Sequence, residues 1–163
     1  MRSHFVRRAL VFRPAWLRVT SALRIAPVAG QSEFANRLSE VLLVDDNPLQ
    51  LRVREAVLRK AGFHVCVATT ADSALAMLHA LADRVGVVVT DHIMPHRSGS
   101  ELVRAIRAEN NWLPIVVLSG LPEAFGEYEG LDVVFRAKPF PPAELIELVR
   151  SSLDQAARQR GAA

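Results

Sequence analysis

From Val41 onward the apolar positions fall into two alternating kinds of segment. Short apolar runs occur as VLLV at 41–44, FHVCVA at 63–68, VGVVVT at 85–90, PIVVLSG at 114–120 and DVVFRA at 132–137. Their length and lack of polar alternation predict strands buried on both faces. The segments between them carry apolar residues at helical spacing. A helix is expected from Pro48 to about Ala61, with Asn47 as its cap, Gly62 as its stop, and Leu51, Ala56, Val57 and Leu58 on its buried face. A second is expected over 69–83 with Thr70 as cap, and a third over 100–110. The stretch LPEAFGEYE at 121–129 supports only a short, poor fourth helix, because Gly126 lies inside it. The final helix spans 141–158 and opens on prolines. Strand and helix thus alternate five times. That pattern predicts an α/β fold in which a parallel sheet is covered on both faces through right-handed crossovers.

A chain of 163 residues accommodates one domain with a full core plus appendages. The division drawn is a basic extension over 1–39, disordered or partly helical, a folded domain over 40–153, and a tail over 154–163. Charge separates these parts. Residues 1–39 hold seven arginines against the single acid Glu33, for +6, whereas 40–153 carry −4 and the last ten residues +1. The basic pI therefore belongs to the extension, and the folded part has no electrostatic case for direct DNA binding. Cys66 is the only cysteine, which excludes an internal disulfide and a cysteine metal cluster. Its apolar surroundings predict a buried, inert thiol. No apolar run approaches the roughly 20 residues of a membrane span. A cytoplasmic protein is expected.

In an open parallel sheet, functional groups collect at the carboxyl ends of the strands. Strand 1 ends on Asp45 and Asp46, strand 3 on Asp91, strand 4 on Ser119 and Gly120, and Lys138 follows strand 5. Three carboxylates so close repel one another unless a cation lies among them, and an all-oxygen set suits Mg²⁺. A metal, a carboxylate nucleophile, an ammonium and a hydroxyl aimed at one place are what phosphoryl transfer to an aspartate requires. Asp91, opposite the acidic pair, is the candidate nucleophile.

The motifs VLLVDDNP, VVVTDHIMP with Gly99 four residues past its proline, VVLSG and FRAKPF resemble the receiver domains of bacterial response regulators, the CheY-like family. The resemblance covers residues 41 to about 153. It implies a flavodoxin-like five-stranded sheet in the order 2-1-3-4-5. It further implies that Asp91 takes a phosphoryl group from a histidine kinase or a histidine phosphotransfer protein, using Mg²⁺. On this carry-over Asp46 binds the metal directly, Asp45 helps through water, and the backbone carbonyl of Ile93 completes the protein ligands. Lys138 pairs with the phosphoryl group and its bond to Pro139 is cis, Ser119 moves toward the phosphoryl oxygen on activation, and Phe135 is the aromatic that turns inward. Two departures from the family pattern stand out. The span from Ser119 to Lys138 is about three residues short, at the fourth helix, which together with His92 in TDHIMP makes the chain similar to receivers at the carboxyl end of hybrid histidine kinases. After the final helix only QRGAA remains, so a stand-alone receiver acting on an unknown downstream protein, or relaying phosphate, is expected.

Blander readings compete at several positions. Asp45 and Asp46 alone would serve as a helix-capping turn, Ser119 and Gly120 as a loop, Lys138 as a solvated charge and Phe135 as core. His96 is given no role, and His92 reads as a plain loop residue in preference to one that, beside Asp91, influences access or phosphoryl lifetime; the five histidines show no metal-ligand spacing. The leader is open to three readings: an amphipathic surface or targeting segment, a basic nucleic-acid arm, or disordered upstream translation, the last being preferred. A phosphorylation-independent pseudo-receiver is the alternative function. An aspartyl phosphatase would want a second acid just after Asp91, where His92 and Ile93 stand.

Overall fold

The computed structural model describes residues 40–81 and 84–161; the expectations for the basic leader lie outside the described residues. Five strands, β1 (Glu40–Val44), β2 (His64–Ala68), β3 (Val85–Asp91), β4 (Ile115–Ser119) and β5 (Val134–Ala137), form one parallel sheet in the order β2-β1-β3-β4-β5. Between them run α1 (Pro48–Lys60), α2 (Ala71–Leu81), α3 (Gly99–Glu109) and a 3₁₀ helix, η1 (Pro122–Tyr128). Helix α4 (Pro142–Gly161) follows β5.

The helices sit where their local chemistry allows. The Asn47 side chain accepts from the Leu49 and Gln50 amides at 3.0 and 3.2 Å, and Pro48 occupies the first turn, where its missing N–H costs nothing. Gly62, at φ +93°, ends α1 in a conformation that a side chain would oppose. Thr70 Oγ1 accepts from the Ser73 amide, and Ser98 with Glu101 closes a full capping box on α3. The fourth connection is a 3₁₀ helix because Gly126 weakens it and its N-cap residue, Leu121, makes no side-chain cap. The fifth strand starts at Val134, two residues later than expected, because Asp132 takes the left-handed φ of 47°. Helix α4 runs to Gly161, so the boundary at 153 falls inside it, and Ala156 beyond that boundary is fully buried.

Two apolar layers sandwich the sheet. Leu51 and Leu58 of α1 with Leu145 and Val149 of α4 cover Leu43, Val87, Val89 and Leu118 on one face. Leu102, Val103 and Ile106 of α3, Ala74 of α2 and Tyr128 of η1 cover Leu42, Val44, Val88 and Val117 on the other. Alternation along β3 breaks once: Glu40 pairs with Val85 and Val41 with Val87, so Gly86 is bulged and Val85 shares a face with Val88. From Val87 the alternation resumes, which turns Asp91 toward α1 and α4 and His92 toward α3 and η1. Ala56, expected in the core, is exposed; the inward stripe of α1 is 51, 54 and 58, which places Arg54 where an apolar side chain was anticipated.

Candidate functional site at the carboxyl edge of the sheet

The strand order reverses around β1 and β3, and the crevice at their carboxyl ends gathers the predicted residues. Asp45, Asp46 and Asp91 offer carboxylate oxygens that all lie within 4.8 Å of one another. Asp45 is fully buried, Asp46 is exposed, and Asp91 is 8% exposed. Lys138, carried just past β5, forms an ion pair with Asp91 Oδ1. The all-oxygen donor set, open to solvent on the Asp46 side, fits a hard divalent cation such as Mg²⁺.

Burial governs the electrostatics. Desolvation pushes the Asp91 carboxyl above its ordinary value, and the Asp45 charge adds to the effect, while the Lys138 hydrogen bond and charge pull the other way. Asp45 is tied on both oxygens: Oδ1 accepts from the Asn47 amide at 2.8 Å and Oδ2 from the Arg54 guanidinium. Gln50, one turn before Arg54, accepts from Arg54 Nη2 at 2.6 Å and from Lys138 Nζ at 3.4 Å. The two cations and three acids thus form one network spanning β1, α1, β3 and the loop after β5.

The other predicted residues divide. Ser119 ends β4 fully buried, with its hydroxyl engaged in its own loop: it donates to the Leu121 carbonyl at 3.1 Å and accepts from the Leu121 amide at 3.0 Å. Phe135 is half-buried, its ring 5.6 Å from that of Phe125 and 5.7 Å from that of Tyr128. Ile93 lies two residues past Asp91 with its side chain exposed. The Lys138–Pro139 bond is cis. Gly120 has open space around it. Cys66 is half-buried rather than fully buried, and burial pushes its thiol up, away from reactivity at neutral pH.

Several residues around the site were given no role, or a different one, from the sequence. Arg54 and Gln50 are the first; an arginine at the inward 51–54–58 spacing was their signal. His92, read as a loop residue, is buried, with Nδ1 2.8 Å from the Tyr128 hydroxyl and Nε2 3.7 Å from Glu127. Burial pushes the Tyr128 phenol up, so it is a neutral hydroxyl. Arg107 of α3 donates to the Leu131, Asp132 and Leu113 carbonyls, each at 2.8 Å, and fastens the approach to β5. The partners of His92 and the Leu131 and Asp132 carbonyls held by Arg107 lie 24 to 36 residues away.

A five-stranded parallel sheet in this order, with three aspartates and a lysine at its carboxyl edge, is the arrangement of the receiver class of signalling domains. Residues 41–150 match the response regulator receiver domain, and the chain belongs to that family. It is 37% identical over 124 residues to the transcriptional regulatory protein PrrA of Mycobacterium tuberculosis, covering 74% of this chain and 51% of PrrA. The chain therefore spans about half the length of that relative. The response regulator receiver protein of Pseudomonas putida superposes with a TM-score of 0.65 at 34% identity, over 70% of this chain and 97% of that one. The chemotaxis protein CheY4 of Vibrio cholerae gives 0.64 at 28%, over 71% and 98%. Among the described residues no helix is long and apolar enough to cross a membrane.

Proposed function

We propose that the domain accepts a phosphoryl group on Asp91 from a histidine kinase or a histidine phosphotransfer protein, with Mg²⁺ held by Asp45, Asp46, Asp91 and the Ile93 carbonyl. The observation that carries this reading is the pairing of Lys138 with Asp91 inside a cluster of three carboxylates at the strand ends. An Asp91 oxygen attacks the phosphorus of a phosphohistidine; the new P–O bond forms as the P–N bond breaks, and the departing imidazole keeps the bonding pair and takes up a proton. Bound Mg²⁺ supplies neutralisation of the phosphoryl oxygens. Lys138, paired with Asp91, supplies a second positive charge and orients the carboxylate.

The raised proton affinity of Asp91 matches a carboxylate that carries its charge in partial burial and gains from a phosphoryl group and cation together. Ser119, one hydroxyl rotation from its loop bonds, would turn toward the phosphoryl oxygen, and Phe135 would follow inward; the aromatic contacts of Phe135 with Phe125 and Tyr128 would carry the change to η1 and β5. That surface would bind a downstream protein, or the phosphoryl group would pass onward.

The test is intact mass after incubation with acetyl phosphate, or with beryllofluoride, in the presence and absence of Mg²⁺. A Mg²⁺-dependent adduct in the parent protein and none in Asp91→Asn is expected. An equal adduct in Asp91→Asn defeats the site assignment, and no adduct with any phosphodonor, a phosphorylated histidine protein included, defeats the reading as a phosphoacceptor.

A further inference from the structure

Arg54 stands out because it fits none of the roles above. It lies on the inward stripe of α1 between Leu51 and Leu58, its side chain is 12% exposed, and its guanidinium holds the fully buried Asp45. A charge in that position needs a partner, and it has two: the Asp45 carboxylate through Nη1 and the Gln50 side-chain oxygen Oε1 through Nη2. Gln50 in turn reaches Lys138, so the guanidinium is held by the same group that touches the lysine on Asp91. The Asp45 oxygen facing the guanidinium thus accepts a charge-assisted hydrogen bond, and its other oxygen accepts from the Asn47 amide.

We propose that Arg54 is an internal counter-ion that competes with the divalent cation for Asp45 and so sets the cation concentration the site requires. The inference rests on the reading of Asp45, Asp46 and Asp91 as a cation site. With Arg54 and Lys138 both engaged, two of three carboxylate charges are already balanced, which lowers the electrostatic gain from a cation. For Asp45 to serve the cation, directly or through water, the cation must share that carboxylate's charge with the guanidinium already bonded to it. A hydrogen bond between ionised partners is strong enough that losing it shifts an equilibrium about tenfold or more.

The experiment is calorimetric titration of Mg²⁺, with Mn²⁺ as a second probe, into the parent protein, Arg54→Leu, Arg54→Lys, and the control Arg52→Leu. Arg52 is an exposed arginine on the same helix. Thermal unfolding with and without Mg²⁺ follows each variant. Arg54→Leu is expected to bind about tenfold tighter and to gain a larger cation-induced rise in Tm, Arg54→Lys to fall between, and Arg52→Leu to stay within about twofold of the parent. Leucine completes the apolar stripe of α1, and the lysine variant keeps the test open if leucine impairs folding. Saturable binding of equal or lower strength in both Arg54 variants overturns the competition while leaving the cation site intact. Equal tightening in Arg52→Leu also overturns it, since net charge alone would then account for the effect. No saturable binding in any of the proteins overturns the cation site and the inference together.

Discussion

Gly99 opens α3 against the backbone that carries Asp91, and replacing it by alanine tests how tightly the site is built. A β-carbon there would lie 2.4 Å from the Asp91 carbonyl oxygen, 2.9 Å from His92 Cα and 3.0 Å from the Tyr128 hydroxyl oxygen. Against an optimal separation of about 3.5 Å the shortfall is on the order of 1 Å. Two of the three obstructing atoms are backbone, and β3 is buried along its whole length between β1 and β4, so it cannot yield. The Gly99 amide also donates to the His92 carbonyl at 2.8 Å, which holds the helix start to the same segment. Overpacking of this kind costs about 1–3 kcal/mol, and the clash with backbone argues for the upper half of that range. Alanine's helix propensity returns at most about 1 kcal/mol. A net loss of about 2 kcal/mol is expected, or roughly 6–12 °C in Tm for a domain of this size. Urea unfolding followed by far-ultraviolet circular dichroism measures it. Gly120→Ala is the control, since nothing lies within 4 Å of a β-carbon there, and should stay within about 0.5 kcal/mol. A Gly99→Ala protein as stable as the parent would refute the close approach of α3 to β3.

Other expectations follow from the same geometry. Leu102→Ala, fully buried on the α3 face, should lose about 2–5 kcal/mol in the urea assay, and a loss below about 1 kcal/mol would mean that the core there is loosely packed. Ser98→Ala removes the capping box of α3 and should cost about 1 kcal/mol, with Ser98→Asp restoring most of it; equal losses in the two variants would exclude capping as the cause. His92→Ala leaves the buried Tyr128 hydroxyl without its partner at a cost of about 1–3 kcal/mol, and His92→Asn should recover part of it if the hydrogen bond is what matters. The Asp91 carboxyl has a folded-state pKa above its ordinary value of 3.8, so the folded state holds its proton more tightly than the unfolded state. Its contribution to stability in the absence of divalent cations should therefore become less favourable as pH rises from 3.8 through the raised folded value. Unfolding curves of the parent and Asp91→Asn across that window measure this; a difference that is flat or of opposite slope would reject the desolvated carboxylate.

The carboxyl-edge site was legible in the sequence because a parallel sheet brings strand ends together whatever the loops do. Asp45, Asp46, Asp91, Ser119 and Lys138 were each placed by their position at the end of an apolar run, and all five lie at the predicted edge. Ala56, expected inside, is exposed and Arg54 faces inward because α1 carries charges all round, and the choice of inward stripe rests on contacts with other elements. Leu51 and Leu58 pack under β1, β2 and α4, and only that docking turns Arg54 onto Asp45, nine residues earlier. His92 was misjudged for a related reason. A residue after a strand reads as loop, but the Gly86 bulge sets the parity of β3, and that parity sends His92 into the layer where Tyr128 waits, 36 residues away.

By itself the sequence determined the alternation of elements, the parallel sheet, the caps at Asn47 and Thr70, and the convergence of acids and lysine, because each follows from period, chain direction or a partner within a few residues. The tertiary structure decided the face α1 presents, the burial of His92 against Tyr128, the hold of Arg107 on the approach to β5 and the pairing of Arg54 with Asp45. Each of those is a contact between groups on different elements, and its energy depends on a distance that no local pattern encodes.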